Sequence, residues 1–339
     1  MKIKIFFLLC CTALFMSCNR DTSPNPKPEV PLVILDTDIG SSTDDLFAME
    51  MLYRYHEQGR CQLLGVVVDR EGEDCAACAD VMNTYFGHSD IPIALVRNGI
   101  KSPRIFIDYK KIPILTDDNG QLLFQHTVSD YASLPDGWQL YRQLLAAQPD
   151  HSVTIISIGF LTCLAQLLES EPDQYSPLNG VELVRLKVKN AYIMGGGFSD
   201  ETPGYNFGSG PEFTKTFFRL WPSELDIVLS PGETASDIDY LPDTVIADIH
   251  WTDIHPIKQV YLRYNCNTGQ RMWDPLAVIN AIEGNELFTL TERGIVTVND
   301  SAVSYFTPSA NGNFRYQLRG DASWNATILE RIRKCNKIH

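Results

Sequence analysis

Four aspartates, Asp36, Asp38, Asp44 and Asp45, fall within ten residues in the stretch Val33-Ile34-Leu35-Asp36-Thr37-Asp38-Ile39-Gly40-Ser41-Ser42-Thr43-Asp44-Asp45. Carboxylates this close repel one another, and burying them unpaired is costly. A hard cation relieves both penalties, and all-oxygen ligation suits Ca²⁺ or Mg²⁺. A simpler account has Asp44 and Asp45 favouring the start of a helix and Asp36 and Asp38 lining a solvated loop. Four carboxylates converging on one junction favour the metal.

The elements that must hold these groups can be read on either side. The apolar run 31–35 has the character of a buried parallel strand. After Thr43, the residues Leu46, Phe47, Met49, Leu52 and Tyr53 recur at helical spacing. Thr43 suits an N-cap, which puts Asp44 and Asp45 in the first turn. Asp36 and Asp38 then sit at the carboxyl end of a strand, where open α/β sheets place their ligands.

The rest of the chain alternates in the same way. Strands are expected at 31–35, 62–68, 92–96, 153–158, 191–194 and 226–229. Helices are expected at 43–58, 73–86, 138–147, 161–169, 212–220, 257–264, 275–283 and 323–333. This order implies an α/β fold with right-handed crossovers, a mostly parallel sheet and helices on both faces. Segments 287–298 and 302–306 are expected to form a small C-terminal β-ribbon. The stretch 98–136, rich in turn residues, is expected to form a flap over the carboxyl end of the sheet.

Residues 1–17 stand apart from this body. Lys2 and Lys4 precede an apolar run, residues 5–16, too short for a stable bilayer anchor. Ser17-Cys18 follows, as in a lipoprotein signal with lipid attached to Cys18. The alternative is an ordinary secretory signal cut nearby; either one takes the protein out of the cytoplasm, and the lipid-anchored form is expected in the cell envelope, at the periplasmic or outer-membrane surface. Segment 18–30 is polar and Pro-rich and reads as a tether, leaving 31–339 as one folded domain. Removing Lys2 and Lys4 takes the formal charge from −14 to −16. So acidic a body argues against nucleic-acid polymers as partners and leaves small neutral ligands open. Contact with the membrane is expected only through the lipid, and self-association is left open. Cys75-Ala-Ala-Cys78 has redox spacing, but it falls on an expected helix and reads as packing thiols.

Taken together, these segments resemble the inosine-uridine preferring nucleoside hydrolases. Asp36-Thr37-Asp38-Ile39-Gly40 followed by Asp44-Asp45 resembles their Asp-x-Asp-x-Gly…Asp-Asp loop. Residues 153–162 resemble their strand ending in Gly-x-Leu-Thr-Asn, with Cys163 at the Asn. Tyr192-Ile193-Met194-Gly195-Gly196-Gly197 with Tyr205-Asn206-Phe207, and Trp273-Asp274-Pro275-Leu276-Ala277, follow in the family's order. The resemblance implies a nucleoside hydrolase-like fold with a Rossmann-like core. It also implies Ca²⁺ held by Asp38, Asp45, Asp274 and the carbonyl of Ile158. Asp38 would serve as the base for a metal-bound water, Asp44, Asn206 and Asp274 would grip ribose, and Asp36 would stand as an outer carboxylate. The reaction implied is hydrolysis of a ribonucleoside to ribose and base, through an oxocarbenium-like ribosyl.

Besides Cys163, three positions depart from that pattern, and the first loop is longer, with Ser41-Ser42-Thr43 where the best-known members have one residue. Trp273 stands where the family has its leaving-group His, and could stack on a base or pack in the core. Gly204 stands where a Glu contacts ribose, and the Asn after the second strand is replaced within Asp69-Arg70-Glu71-Gly72. His126, His250 and His255 read as surface or satisfied histidines rather than substitute acids. Two other readings follow: a non-catalytic ribosyl-binding lipoprotein, and a haloacid-dehalogenase-type phosphatase built on Asp36 and Asp38. The phosphatase gives no role to Asp44-Asp45 or to the Trp-Asp-Pro segment.

Overall fold

The computed structural model describes residues 30–199, 201–264, 266 and 268–337. The expected signal segment, Cys18 and nearly all of the tether lie outside the described residues. The body opens with β1 (Leu32–Thr37), α1 (Asp44–Glu57), β2 (Gln62–Val68), α2 (Glu73–Tyr85) and β3 (Ile93–Leu95). A long irregular stretch leads to α3 (Gly137–Ala146), β4 (Val153–Ser157), α4 (Thr162–Glu169), α5 (Gly180–Lys187) and β5 (Val188–Met194). Next come α6 (Gly204–Ser209), α7 (Pro211–Leu220), β6 (Asp226–Ser230), β7 (Asp239–Tyr240), α8 (Pro242–Asp248) and α9 (Pro256–Arg263). The chain closes with β8 (Gln270–Arg271), α10 (Trp273–Glu283), β9 (Gly294–Val298), β10 (Ser304–Pro308), β11 (Phe314–Tyr316) and α11 (Ala322–Asn336).

Nine strands form one sheet in the order β10-β9-β11-β6-β5-β4-β1-β2-β3. Pairing is parallel from β3 through to β11 and antiparallel where β9 joins β11 and β10. The C-terminal ribbon is therefore an edge of the main sheet. The run 3-2-1-4-5-6 is the doubly wound order, whose direction reverses between β1 and β4 and opens a crevice at their carboxyl ends.

The pleat of β1 sorts the core. Val33 and Leu35 pack with residues of α1, α2, α9, α10 and α11. Ile34, between them, packs with α3, α4, α5 and α7 on the other face. All three are fully buried, and truncating any to Ala should cost about 2–5 kcal/mol.

Most expected elements appear within a few residues of their expected limits. The helices α5, α6 and α8 and the strands β7, β8 and β11 were not anticipated. Thr43 precedes α1 but makes no capping hydrogen bond; its hydroxyl pairs with Tyr261 at 3.2 Å. The thiols of Cys75 and Cys78 are free and buried on α2, and burial raises both pKa values. Part of the 98–136 stretch does cover the crevice, with Ser41 accepting from the Ile107 N–H and Tyr109 accepting from the Gly40 N–H.

Candidate active site

Alternation along β1 separates the acidic residues before any cavity forms. Asp36 shares the face of Ile34, where the Tyr141 hydroxyl of α3 donates to it at 3.1 Å. Asp69 and Cys163 complete a buried group there, their ligand atoms within 4.8 Å of one another. Desolvation pushes the Asp36 and Asp69 carboxyls well above the usual range. Thr37 points the other way, and its hydroxyl donates to Asp45 at 2.5 Å, tying the end of β1 to the first turn of α1.

Asp38 lies just past β1, held between Gly159 and Arg70. Gly159, after β4, approaches so closely that a Cβ there would lie 2.5 Å from the Asp38 nitrogen. The Arg70 guanidinium, from the end of β2, donates through Nε to the Asp38 carbonyl at 2.8 Å and through Nη2 to its Oδ2 at 2.6 Å. Nη2 also donates to the Tyr205 hydroxyl at 3.0 Å, and the guanidinium lies over the Phe160 ring. Arg70 is thus a buried cation beside the candidate base.

Asp44 and Asp45 from α1 meet Asp274 from the first turn of α10, with carboxylate oxygens within 4.8 Å of one another. Oxygens this close fit one ion with bonds of about 2.4 Å each. Desolvation raises the Asp45 and Asp274 carboxyls well above their usual range, reinforced by repulsion from the neighbouring aspartates. Asp44 is pushed up to about 6, mainly by burial and against a hydrogen bond from Ser42. Buried carboxyls in this state hold either protons or a cation, so the donor set fits a hard metal ion. The closest trio contains Asp44, whereas the resemblance implied Asp38 with Asp45 and Asp274.

Asn206, at the start of α6, donates through Nδ2 to the Ile158 carbonyl at 3.0 Å and the Met194 carbonyl at 3.1 Å. It ties together the carboxyl ends of β4 and β5 and leaves only its amide oxygen for a ligand. Trp273 is half-buried, and its indole N–H donates to the Gly232 carbonyl at 2.9 Å. Gly204 has φ +65°, and a Cβ there would lie 2.9 Å from the Gly196 carbonyl. No Glu can sit there without strain. The Gly-Gly-Gly turn also closes tightly, with Gly196 at φ +80°.

These groups line one cavity of about 240 Å³, which takes in Asp38, Asp44, Asp45, Asp274, Ile158 and Asn206. A more open cleft of about 500 Å³ adjoins it and shares Ser42, Phe106 and Trp273. No histidine among the described residues lines either space. His255 is buried against Tyr85, Phe86 and Trp251, His126 pairs with Tyr131, and His250 is exposed. Sequence reasoning did not single out Arg70, Tyr205 or Phe106. The signal available for Arg70 was a cationic residue at the carboxyl end of the strand next to β1.

A doubly wound sheet with a carboxylate-lined cavity at its switch point defines a ligand-binding α/β protein with a metal-suited centre. The model for the inosine-uridine preferring nucleoside hydrolase family matches residues 33–332. The chain belongs to that family of metal-dependent enzymes, which hydrolyse nucleosides. No curated protein matches it in sequence. Among solved structures, a purine-preferring ribonucleoside hydrolase from Gardnerella vaginalis is 14% identical, with TM-score 0.66, covering 91% of this chain and 100% of its own. An inosine-uridine preferring hydrolase from Bacillus anthracis is 18% identical, with TM-score 0.63 and coverages of 91% and 99%. The type III effector XopQ, complexed with adenosine diphosphate ribose, is 15% identical, with TM-score 0.67 and coverages of 92% and 95%. Family membership leaves the phosphatase reading without support.

Proposed function

We propose that this enzyme is an exported, lipid-anchored N-ribosyl hydrolase that uses Ca²⁺ to cleave ribonucleosides or related ribosyl compounds into ribose and free base. The observation that carries this reading is the convergence of Asp38, Asp44, Asp45 and Asp274, from three separate elements, on one cavity of about 240 Å³. Typical pockets for drug-sized ligands run from roughly 300 Å³ upward, so this one suits a ribosyl group, with the aglycone in the adjoining cleft.

Asp44, Asp45 and Asp274 would hold the ion, with Asp38 and the Ile158 carbonyl beside them. When bound, a divalent cation supplies an acidified water and a fixed positive charge. Asp38 receives the proton of the attacking water on the oxygen that Arg70 leaves free. Asp44, Asp274 and the amide oxygen of Asn206 orient the sugar hydroxyls. The surrounding carboxylates favour positive charge developing on the ribosyl carbon. The neighbour crystallised with adenosine diphosphate ribose supports a ribosyl ligand for this fold.

The test is ribose release from a panel of ribonucleosides and p-nitrophenyl riboside, with added Ca²⁺ and with a chelator. Chelator-sensitive release supports the reading. Ca²⁺-dependent ribose binding without release would replace it with a binding role. Asp38→Ala should abolish turnover, and full activity in that variant would remove Asp38 as the base.

A further inference from the structure

Resting on that hydrolase reading, we propose that the preferred substrates are N-ribosylpyridinium compounds, whose ring nitrogen is cationic while attached and becomes neutral on leaving. A purine or pyrimidine leaves as an anion unless an acid protonates it, and such an acid is worth about 10²–10⁴ in rate. The cavity and its cleft hold no histidine or lysine among the described residues. Trp273 occupies the junction where the resemblance places the family's acid, and its one N–H is committed to the Gly232 carbonyl. The Tyr205 hydroxyl is likewise spent, donating to the Arg104 carbonyl and accepting from Arg70.

A ribosylpyridinium needs no such acid. The C1′–N bond breaks with both electrons going to the ring nitrogen, which cancels its charge. The C1′–O bond forms from water, whose lost proton passes to a site carboxylate and then to solvent. Ribosylpyridinium and water thus yield ribose, a neutral pyridine and one proton.

The charge and shape of the site suit the same substrate. Asp38, Asp44, Asp45 and Asp274 line the cavity, and Arg70 offsets one of them. A divalent ion would leave one negative charge in surplus. Positive charge moves from the ring to the ribosyl carbon during the reaction, so this field meets a cation throughout. Phe106 and Trp273 flank the passage between the two spaces, and each already carries a guanidinium, Arg104 at 4.5 Å and Arg271 at 5.8 Å from the ring centre. Arg104 and Arg271 are both exposed, and Arg271 faces Asp239, so their repulsion is screened, whereas the carboxylates act from a buried site.

The test compares kcat/KM of the Ca²⁺-loaded enzyme for ribosylpyridiniums bearing a meta carboxamide or a meta carboxylate with that for uridine, inosine and p-nitrophenyl riboside. A pyridinium preference over uridine and inosine of about 100-fold or more is expected. Any ratio above ten supports the inference and any lower ratio overturns it. Turnover of p-nitrophenyl riboside without turnover of either pyridinium would overturn the inference and leave the hydrolase reading intact. Failure of all five would overturn both. Trp273→His, which places an acid at the junction, should raise uridine and inosine turnover and shrink the ratio. Trp273→Phe should preserve it. An unchanged ratio in a folded Trp273→His enzyme would refute the leaving-group argument.

Discussion

Arg70→Met tests the least expected feature of the site, a guanidinium buried among carboxylates. Arg70 is 3% exposed and meets Asp38 at both its side chain and its carbonyl. Methionine keeps much of the apolar stem and removes the charge. Asp38 is then left buried, facing Asp44, Asp45 and Asp274 with no cation among the residues around it. Breaking a buried pair by removing one partner costs about 3–5 kcal/mol. For a domain of this size, the melting temperature without added metal should fall on the order of 10 °C. Ca²⁺ should then bind at least tenfold more tightly, because it no longer competes with the guanidinium for Asp38, a gain of about 1.4 kcal/mol. Calorimetric titration with Ca²⁺ and thermal unfolding with and without it read both effects. Arg70→Lys, which keeps charge but loses the fork, should fall between. The reasoning fails if the metal-free variant is as stable as the parent to within about 1 kcal/mol, or if Ca²⁺ binds it more weakly.

Burial raises Glu50 to about 8 against an ordinary 4.5, and lowers His255 to about 3 against an ordinary 6.5. Folded Glu50 therefore holds a proton that the unfolded chain has lost, so stability falls as pH rises towards 8, by roughly 1–2 kcal/mol above pH 6.5, where His255 no longer offsets it. Glu50→Gln should abolish that fall in urea titrations across this range, and an unchanged slope would exclude Glu50 as its source. Gly204→Glu should cost about 1–3 kcal/mol and fail to lower KM for ribonucleosides, because the left-handed backbone and the Gly196 carbonyl leave no room for a Cβ. A better KM without loss of stability would contradict this. Cys18→Ser should move the protein from the membrane to the soluble fraction on cell fractionation, and continued membrane association would rule out the lipid anchor.

The acidic loop and most strands were legible because each rests on local pattern. Apolar runs bounded by turns gave β1, β2 and β4, and helical spacing after Thr43 gave α1. Asp274 was placed in the site by the family resemblance, and the fold brings it there across more than two hundred residues through the start of α10. Helices α5, α6 and α8 begin at Gly180, Gly204 and Pro242 and span six to eight residues, too short for a hydrophobic repeat to register. Arg70 was invisible for another reason. An arginine at a strand end ordinarily means solvent, and only the pairing of β2 beside β1 turns it inward to Asp38.

Arg70 and Trp273 point in one chemical direction. Arg70 engages one carboxylate oxygen of Asp38 and leaves the other for a water, which tempers Asp38 in its proposed role as base. Trp273 commits its N–H to Gly232 and so has no proton to give a departing base. An enzyme with a tempered base and no histidine or lysine among the described residues of its cavity and cleft would be slow on a poor leaving group, since neither end of the reaction receives full proton assistance. With a leaving group that departs without a proton, bond breaking runs ahead of water attack, and the water needs orientation more than strong deprotonation. Retaining the carboxylates around C1′ then preserves what such a reaction still requires, a site that favours positive charge on the sugar. The two departures are therefore coupled. Restoring an acid at Trp273 should help natural nucleosides most when Arg70 is also replaced, and a double variant no better than the product of the two single effects would show the two ends to be independent.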